Sequence, residues 1–395
     1  MTTPHGRPLR VLLVSHHYPP HMGGIENVVR HEAAHLAADG VDVTVLTSDE
    51  KSSVTQEQGV RVVRVAAWNG AEKRAGVPFP LLSPRLLGEA LRWTRRADVV
   101  HLHDCQYLTS WAAGAAAWLL RTPHVLTQHV GVVDHPSALV LRVQRAVYAV
   151  AGRGLIRRAE GVFTLNASVA AFVRRHGARA AGARHLANGV DTDLFRPADS
   201  AGERLRIRQR LGLPPDRPLV LLAGRLVPKK GFDLLLDAHA LTDLPAYDLV
   251  LAGDGDTRAL DGRAGVHHLG ALPPRTLAEV YRACDVFALP STAEGFPLTV
   301  QEAMASGLPV VTTDDPGYAP YGLDRGRVAL VPRDARVLHE TLTRLAGSPD
   351  TRADMAAYSR DYAERHFSWP RHVAWLRQRY AEAAFGRGPV PVGAG

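Results

Sequence analysis

Only two cysteines, Cys105 and Cys284, occur in 395 residues, too few and too far apart for a disulfide framework. Lysine is scarcer still for its class, present only at positions 51, 73, 229 and 230. No apolar run reaches the roughly 20 residues needed to span a bilayer, and the longest, Trp111–Leu120, is broken up by Ala and Gly. The N-terminus lacks the charged-then-apolar order of a secretory leader, because Leu9–Ser15 reads as a strand. Zinc-ligand spacing, an RNP-like aromatic strand and a dense basic run are all missing, which sets nucleic acid aside as a partner. These absences leave a cytoplasmic protein as the expectation.

With 46 % hydrophobic residues the chain can bury two cores, and its length suits two domains. The net charge of +8 favours anionic partners such as membrane surfaces or phosphorylated ligands. Nearly all of that charge is arginine, which beside abundant Ala and Gly reads as the coding bias of a GC-rich genome and weakens the inference.

Taken in order, the chain alternates short apolar β-branched runs with helical patterns, which argues for parallel α/β sheets. LRVLLVSHHYPP leads through HMGG into a helix closed by Gly40, and VDVTVLTS and RVVRVAA follow as strands. Gly23 and Gly24 sit beyond the carboxyl end of the first strand, where ligands bind in such sheets and where glycine lets backbone approach them closely. Residues 70–96 read as irregular, then helical. ADVVHLHD delivers His101, His103 and Asp104, and RTPHVLTQHV delivers Gln128 and His129, at two further strand ends. His101 and His103 share a strand face, but no third ligand stands at a recognisable metal spacing. The helical stretch from Ser137 to Glu160 carries Arg142, Arg145, Arg153, Arg157 and Arg158; it reads either as a solvated face over a core face or as weak peripheral contact with an anionic inner membrane face. HLANGVDTDLFRPAD has turn chemistry and opens a linker toward Pro218.

A second α/β set begins at RPLVLLAGRLVPKKG. Arg225 and Lys230 bracket a strand-to-helix loop there, a pairing that suits a pyrophosphate, and two of the four lysines fall at 229 and 230. Gly253-Asp254-Gly255 is not a dinucleotide fingerprint, since Arg258 stands where the third glycine belongs. In PSTAEGFPLTVQEAMASG, Glu294 and Glu302 flank a Gly-Phe-Pro turn that opens a helix. Pro297 fits the first helical position, and the next amides, on Leu298 and Thr299, offer an anion site. Glu302, a turn further in and leaning back, suits the hydroxyls of a ligand whose phosphates sit on the turn. Phosphate beside polyol describes a nucleotide sugar. Ser368 and Pro370 open a last helix, and 387–395 reads as a disordered tail.

These strings resemble retaining glycosyltransferases of the GT-B fold, family 4 in particular. The resemblance is closest from 219 to 312, where GRL…KG and the paired Glu294 and Glu302 fall, and looser before 190. It implies two Rossmann-like α/β/α domains facing across a cleft, with a C-terminal helix crossing back to the first. The expected domains are an acceptor-binding 1–200, with 368–386 packed onto it, and a nucleotide-sugar-binding 201–367. The resemblance places Gly23, His103 and His129 at the acceptor and sugar, and Gly24, Gly270, Leu272, Phe296, Leu298, Thr299 and Glu302 at the donor. Glu294, His129, Arg225 and Lys230 fill the catalytic positions, with Glu294 on the sugar hydroxyls, Glu302 on the ribose, and Arg225 and Lys230 on the leaving diphosphate. One departure stands out: where the family continues with two glycines and a Glu, this chain has Pro316, Gly317, Tyr318, Ala319 and Pro320, which leaves the donor sugar open.

The expected activity is retaining transfer from a nucleoside-diphosphate sugar to a hydroxyl of a small metabolite, a natural-product aglycone or a lipid-linked acceptor. With no evident nucleophile, a front-face mechanism fits, in which the leaving phosphate takes the acceptor proton. Cations and helix amides supply the charge, so no cofactor or divalent metal is expected. Two rival readings are a GT-B nucleotide-sugar 2-epimerase and a non-catalytic nucleotide-sugar-binding protein.

Overall fold

The computed structural model describes residues 6–21, 23–68, 81–82, 84–132, 137–179, 182–255, 257–260, 262–292 and 295–386. Glu294, most of the 70–84 stretch and the 387–395 tail lie outside these residues. The chain divides into two units, one of Met1–Gly189 with Trp369–Gly395 and one of Val190–Ser368. The division falls at 189/190 rather than at 200. The two crossings run side by side: Val190 N donates to the Phe367 carbonyl at 2.6 Å, and Val190 pairs with Ser368 in a parallel bridge.

In the first unit the strands are β1 (Arg10–Val14), β2 (Asp42–Asp49), β3 (Ser53–Glu57), β4 (Val60–Trp68), β5 (Leu81–Leu82), β6 (Val99–His103), β7 (His124–Gln128), β8 (Gly161–Thr164) and β9 (Ala183–His185). Their order is β3-β4-β2-β1-β6-β7-β8-β9, with β5 also on β4. All pairs are parallel except those β4 makes with β3 and β5. Side chains alternate between the two faces. Leu12, Val14, Val100 and Leu102 pack with Leu86 and Trp93 of the helix Arg85–Thr94 and with Ala113 and Ala117 of the helix Leu108–Leu120. Val11, Leu13, Val43 and Val45 pack on the opposite face with Val29, Ala33 and Leu36 of the helix Gly24–Ala38 and with Val373, Leu376 and Tyr380 of the helix Trp369–Phe385. The last helix of the chain thus completes the first unit's core.

The second unit holds β10 (Leu219–Ala223), β11 (Asp248–Ala252), β12 (Val266–Gly270), β13 (Val286–Leu289), β14 (Val310–Thr313) and β15 (Ala329–Val331), in the order β12-β11-β10-β13-β14-β15. Every pair is parallel. LVLLA and VFAL are continuous apolar runs because helices cover both faces of such a sheet. Strand order reverses once in each sheet, between β1 and β6 and between β10 and β13. Loops leaving neighbouring strands at such a reversal diverge and leave a crevice, and those two places carry Gly23, Gly24 and His103 in the first sheet and Arg225 and Lys230 in the second.

Candidate active site

In the second unit, the loop after β10 is drawn toward the loop after β13. Leu226 N donates to the Asp254 carbonyl at 2.8 Å, and a short 3-10 turn, Pro228–Lys230, ends at Gly231 with φ 74°. Glycine is required there twice over: the left-handed backbone favours it, and a Cβ would stand 2.2 Å from the Pro290 carbonyl oxygen. Thr292 N donates to the Lys229 carbonyl at 2.8 Å, Thr313 Oγ1 donates to the Ser291 carbonyl at 2.7 Å, and Arg333 Nε donates to the Pro290 carbonyl at 3.0 Å. The lysine pair is therefore pinned to the strand exit that leads into the Gly-Phe-Pro turn. Arg225 and Lys229 are exposed, and Lys230 is half-buried with its Cε 3.8 Å from where a Gly224 Cβ would stand.

The helix Leu298–Ala305 begins one residue later than the sequence suggests. Pro297, with ψ 135°, is its N-cap rather than its first helical residue. The Pro297 carbonyl accepts from Val300 N at 3.0 Å and Gln301 N at 3.3 Å. The amides of Leu298 and Thr299 occupy positions with no intrahelical acceptor, and Thr299 Oγ1 is buried with no hydrogen-bond partner among the described residues. Glu302, half-buried on this helix, accepts a hydrogen bond from Tyr281 Oη at 3.0 Å; the same hydroxyl lies 3.1 Å from the Thr299 carbonyl. Burial pushes the Glu302 carboxyl up to about 7, and the Tyr281 hydrogen bond offsets only part of that. Gly270 ends β12 with φ 68°, and Ala271 N, between Gly270 and Leu272, donates to Asp254 Oδ1 at 3.0 Å.

The ring of Phe296, one of the expected donor-site residues, packs inward. That ring is 3 % exposed, stacked on Tyr321 at 4.1 Å and edge-on to Tyr318 at 5.0 Å, with Phe367 at 5.8 Å. The Pro316–Pro320 departure supplies this packing: Pro316–Tyr321 is a 3-10 helix capped by Asp315, whose Oδ1 accepts from Gly317 N at 2.7 Å. The aromatic block fixes the course of the turn from behind.

In the first unit, Gly23 caps the helix Gly24–Ala38 in extended backbone, and a Cβ on it would lie 2.1 Å from Glu26 Oε2. The loop after β1 also brings His16, absent from the sequence candidates, flat against Tyr107 of the β6 exit at 4.5 Å. Both His16 ring nitrogens are buried without a hydrogen-bond partner among the described residues. Burial, then the charges of His17 and His21, lowers its pKa to about 3.

His103, expected at the acceptor, lies at the end of β6. It is fully buried, with Nδ1 3.1 Å from His129 Nε2 and Nε2 3.3 Å from Glu32 Oε2. Its two nitrogens face protein groups, so it stands behind His129. His129, 7 % exposed, is held by its backbone N, which donates to Asp104 Oδ1 at 2.9 Å. Asp104 takes a left-handed φ of 60°, and burial raises its carboxyl to about 7 against hydrogen bonds from the His129 and Val130 amides. Glu32, His101 and His103 bring one potential metal ligand atom each within 4.8 Å of one another. His101, however, has Nδ1 2.7 Å from Tyr380 Oη and Nε2 2.7 Å from Thr127 Oγ1. Both its nitrogens are engaged, so the cluster reads as a hydrogen-bond network. Glu32 was legible as an anomaly: it occupies the core stripe Val28, Val29, Ala33, Leu36 of its helix.

Two doubly wound sheets, each with its candidate loops at the strand-order reversal, define a class, the GT-B glycosyltransferases. The structure is similar to sucrose-phosphate synthase from Thermosynechococcus elongatus, with a TM-score of 0.72 and 23 % identity over 95 % of this chain and 98 % of that one. It is similar also to Anabaena HepE in complex with UDP-glucose, with a TM-score of 0.70 and 21 % identity over 94 % and 98 %. Residues 23–189 match the glycosyl transferase 4-like domain, and residues 203–362 match glycosyl transferases group 1. D-inositol 3-phosphate glycosyltransferase of Xylanimonas cellulosilytica is 32 % identical across 95 % of this chain and 97 % of its own length. The chain belongs to the glycosyl transferases group 1 family and is a glycosyltransferase.

Proposed function

We propose that the protein transfers a sugar from a nucleoside-diphosphate sugar to a hydroxyl with retention at the anomeric carbon. The observation that carries this reading is the loop pair at the β10/β13 reversal, where the Lys229 carbonyl is tied to Thr292 and the chain runs on to a helix start with two open amides. Arg225, Lys230 and the amides of Leu298 and Thr299 take up charge as the bond from the anomeric carbon to the diphosphate oxygen breaks. Glu302 accepts from the ribose hydroxyls and Glu294 from the sugar hydroxyls. His129, with Gly23 and Gly24 at the neighbouring helix start, serves the sugar and acceptor. The acceptor oxygen bonds to the anomeric carbon from the face the diphosphate leaves, and its proton passes to the departing phosphate oxygen. Fixed cations and amides supply the charge, so turnover continues in EDTA. The names of the relatives favour a small cyclitol phosphate as the first acceptor to try. Thermal stabilisation by a panel of nucleotide sugars, followed by slow hydrolysis assays, tests the donor half; a panel without a single stabilising member refutes it. Formation of an epimer with no acceptor present would favour the 2-epimerase instead.

A second observation bears on location. Among the described residues no helix is long and apolar enough to cross a membrane. The helical segment 138–158 nevertheless exposes Arg142, Arg145, Arg153, Arg157 and Arg158 beside Val143 and Val150, with no acidic residue from 137 to 159. Exposed Trp118 lies under the Arg158 guanidinium at 5.6 Å. Arginines flanking exposed apolar groups suit the interface of an anionic bilayer, and we propose weak peripheral contact of this face with such a membrane. Co-sedimentation with phosphatidylglycerol vesicles but not with phosphatidylcholine vesicles, lost in Arg153→Glu/Arg157→Glu, is expected; equal recovery with both vesicle types contradicts it.

A further inference from the structure

The buried chain behind His129 has a proton logic that its partners determine. His372 Nδ1 lies 2.8 Å from the Ala187 carbonyl and Nε2 lies 2.8 Å from Glu32 Oε1. A carbonyl only accepts, so Nδ1 carries hydrogen; with a carboxylate on the other side, Nε2 carries one as well. The other Glu32 oxygen faces His103 Nε2 at 3.3 Å. A bare Nε2 would set a lone pair against a buried anion, so His103 holds a hydrogen on Nε2. The hydrogens on both His372 nitrogens already balance the Glu32 charge, and a second buried cation would be uncompensated, so His103 is neutral and its Nδ1 is left as an acceptor. His129 Nε2, 3.1 Å from that acceptor, must then be the donor.

We propose that Glu32, His103 and His372 form a buried relay that fixes the tautomer of His129, with hydrogen on Nε2 and a bare, accepting Nδ1 left for a ligand hydroxyl. The last clause rests on the reading that His129 meets substrate; the tautomer itself does not. Glu32 is ionised despite its burial, because His103 and His372 together hold its carboxyl well below the ordinary range. His129 is neutral, since its burial pushes its pKa to about 3. It therefore has a single ring hydrogen to place. Glu32 and His103 act through His129 and are positioning residues. They draw on the helix Gly24–Ala38, on β6 and, through His372, on the helix Trp369–Phe385, which gives the final helix a part in the site beyond packing.

The test is 15N-histidine NMR of the full chain, with the His129 signals assigned by their loss in His129→Gln. Without ligand, the wild type is expected to show a protonated Nε2 and a bare Nδ1. Glu32→Ala releases His103, so His129 shifts to the Nδ1–H form or to a mixture, and kcat/KM falls roughly 10- to 100-fold; Glu32→Gln, which still offers an oxygen to His103, recovers to within about threefold of wild type. A wild-type His129 protonated on Nδ1 overturns the relay, even if Glu32→Ala does not fold. An unchanged tautomer in folded Glu32→Ala overturns it as well. Adding a uridine diphosphate sugar separates the two claims. Movement of the Nδ1 resonance supports the ligand contact, and a silent Nδ1 with the predicted tautomer refutes the contact while the relay stands.

Discussion

Replacing Glu302 with Gln separates two consequences of its carboxyl group. In the ligand-free protein the carboxyl is raised from 4.5 to about 7. At about 1.4 kcal/mol per pH unit, ionising it above pH 7 costs the fold on the order of 3 kcal/mol. The sign follows from linkage: the folded state keeps a proton that the unfolded state releases near pH 4.5, so this contribution is fully present below that value and is lost as pH rises through about 7. Gln never ionises and can still accept from Tyr281 Oη. Urea denaturation from pH 5 to pH 8 should therefore show wild type losing on the order of 2 kcal/mol more than Glu302→Gln. Asp104 titrates in the same direction in both proteins and cancels in the difference. Nucleotide-sugar binding should move the other way, because a hydrogen bond to a charged acceptor contributes roughly 1.5–3 kcal/mol, so calorimetry should find the variant about 10- to 100-fold weaker. Parallel stability curves would refute the burial argument, and unaltered binding would refute the ribose contact.

Lys230→Ala should lower kcat/KM roughly 100- to 1,000-fold, as loss of a preorganised charge at a leaving group does, with the melting temperature nearly unchanged; a rate within threefold of wild type removes Lys230 from the diphosphate site. Asp104→Asn keeps the acceptor for the His129 amide and removes the ionisation, so it should be more stable than wild type at pH 8 and equal to it at pH 4 in the same denaturation assay. A smaller advantage at pH 8 than at pH 4 would contradict the raised Asp104 carboxyl.

The parallel sheets were readable because VLLV, LVLLA and VFAL are apolar throughout and each ends at a glycine or polar loop. The cation loop was readable for a compositional reason: two of four lysines in one loop is a strong local signal. The network behind His129 was not, since Glu32 and His372 are separated by 340 positions and only the packing of the final helix brings them within 2.8 Å. Tyr281 reaches Glu302 across a strand and two loops in the same way. The helix start moved by one residue because Pro tolerates either ψ, and at Pro297 the extended value won. Pro316–Pro320 looked like a change in ligand chemistry. Its Tyr318, with Tyr321 just beyond it, is core, packed on Phe296, an outcome fixed by tertiary contacts that no local pattern records.

The central claim, retaining transfer from a nucleotide sugar, is tested most directly by the anomeric configuration of the product. With the stabilising α-linked nucleotide sugar and an inositol phosphate acceptor, proton NMR taken before any mutarotation should show a new α-glycosidic linkage formed in step with nucleoside diphosphate release. A β-linked product, or an epimerised nucleotide sugar with no glycoside, would contradict the account.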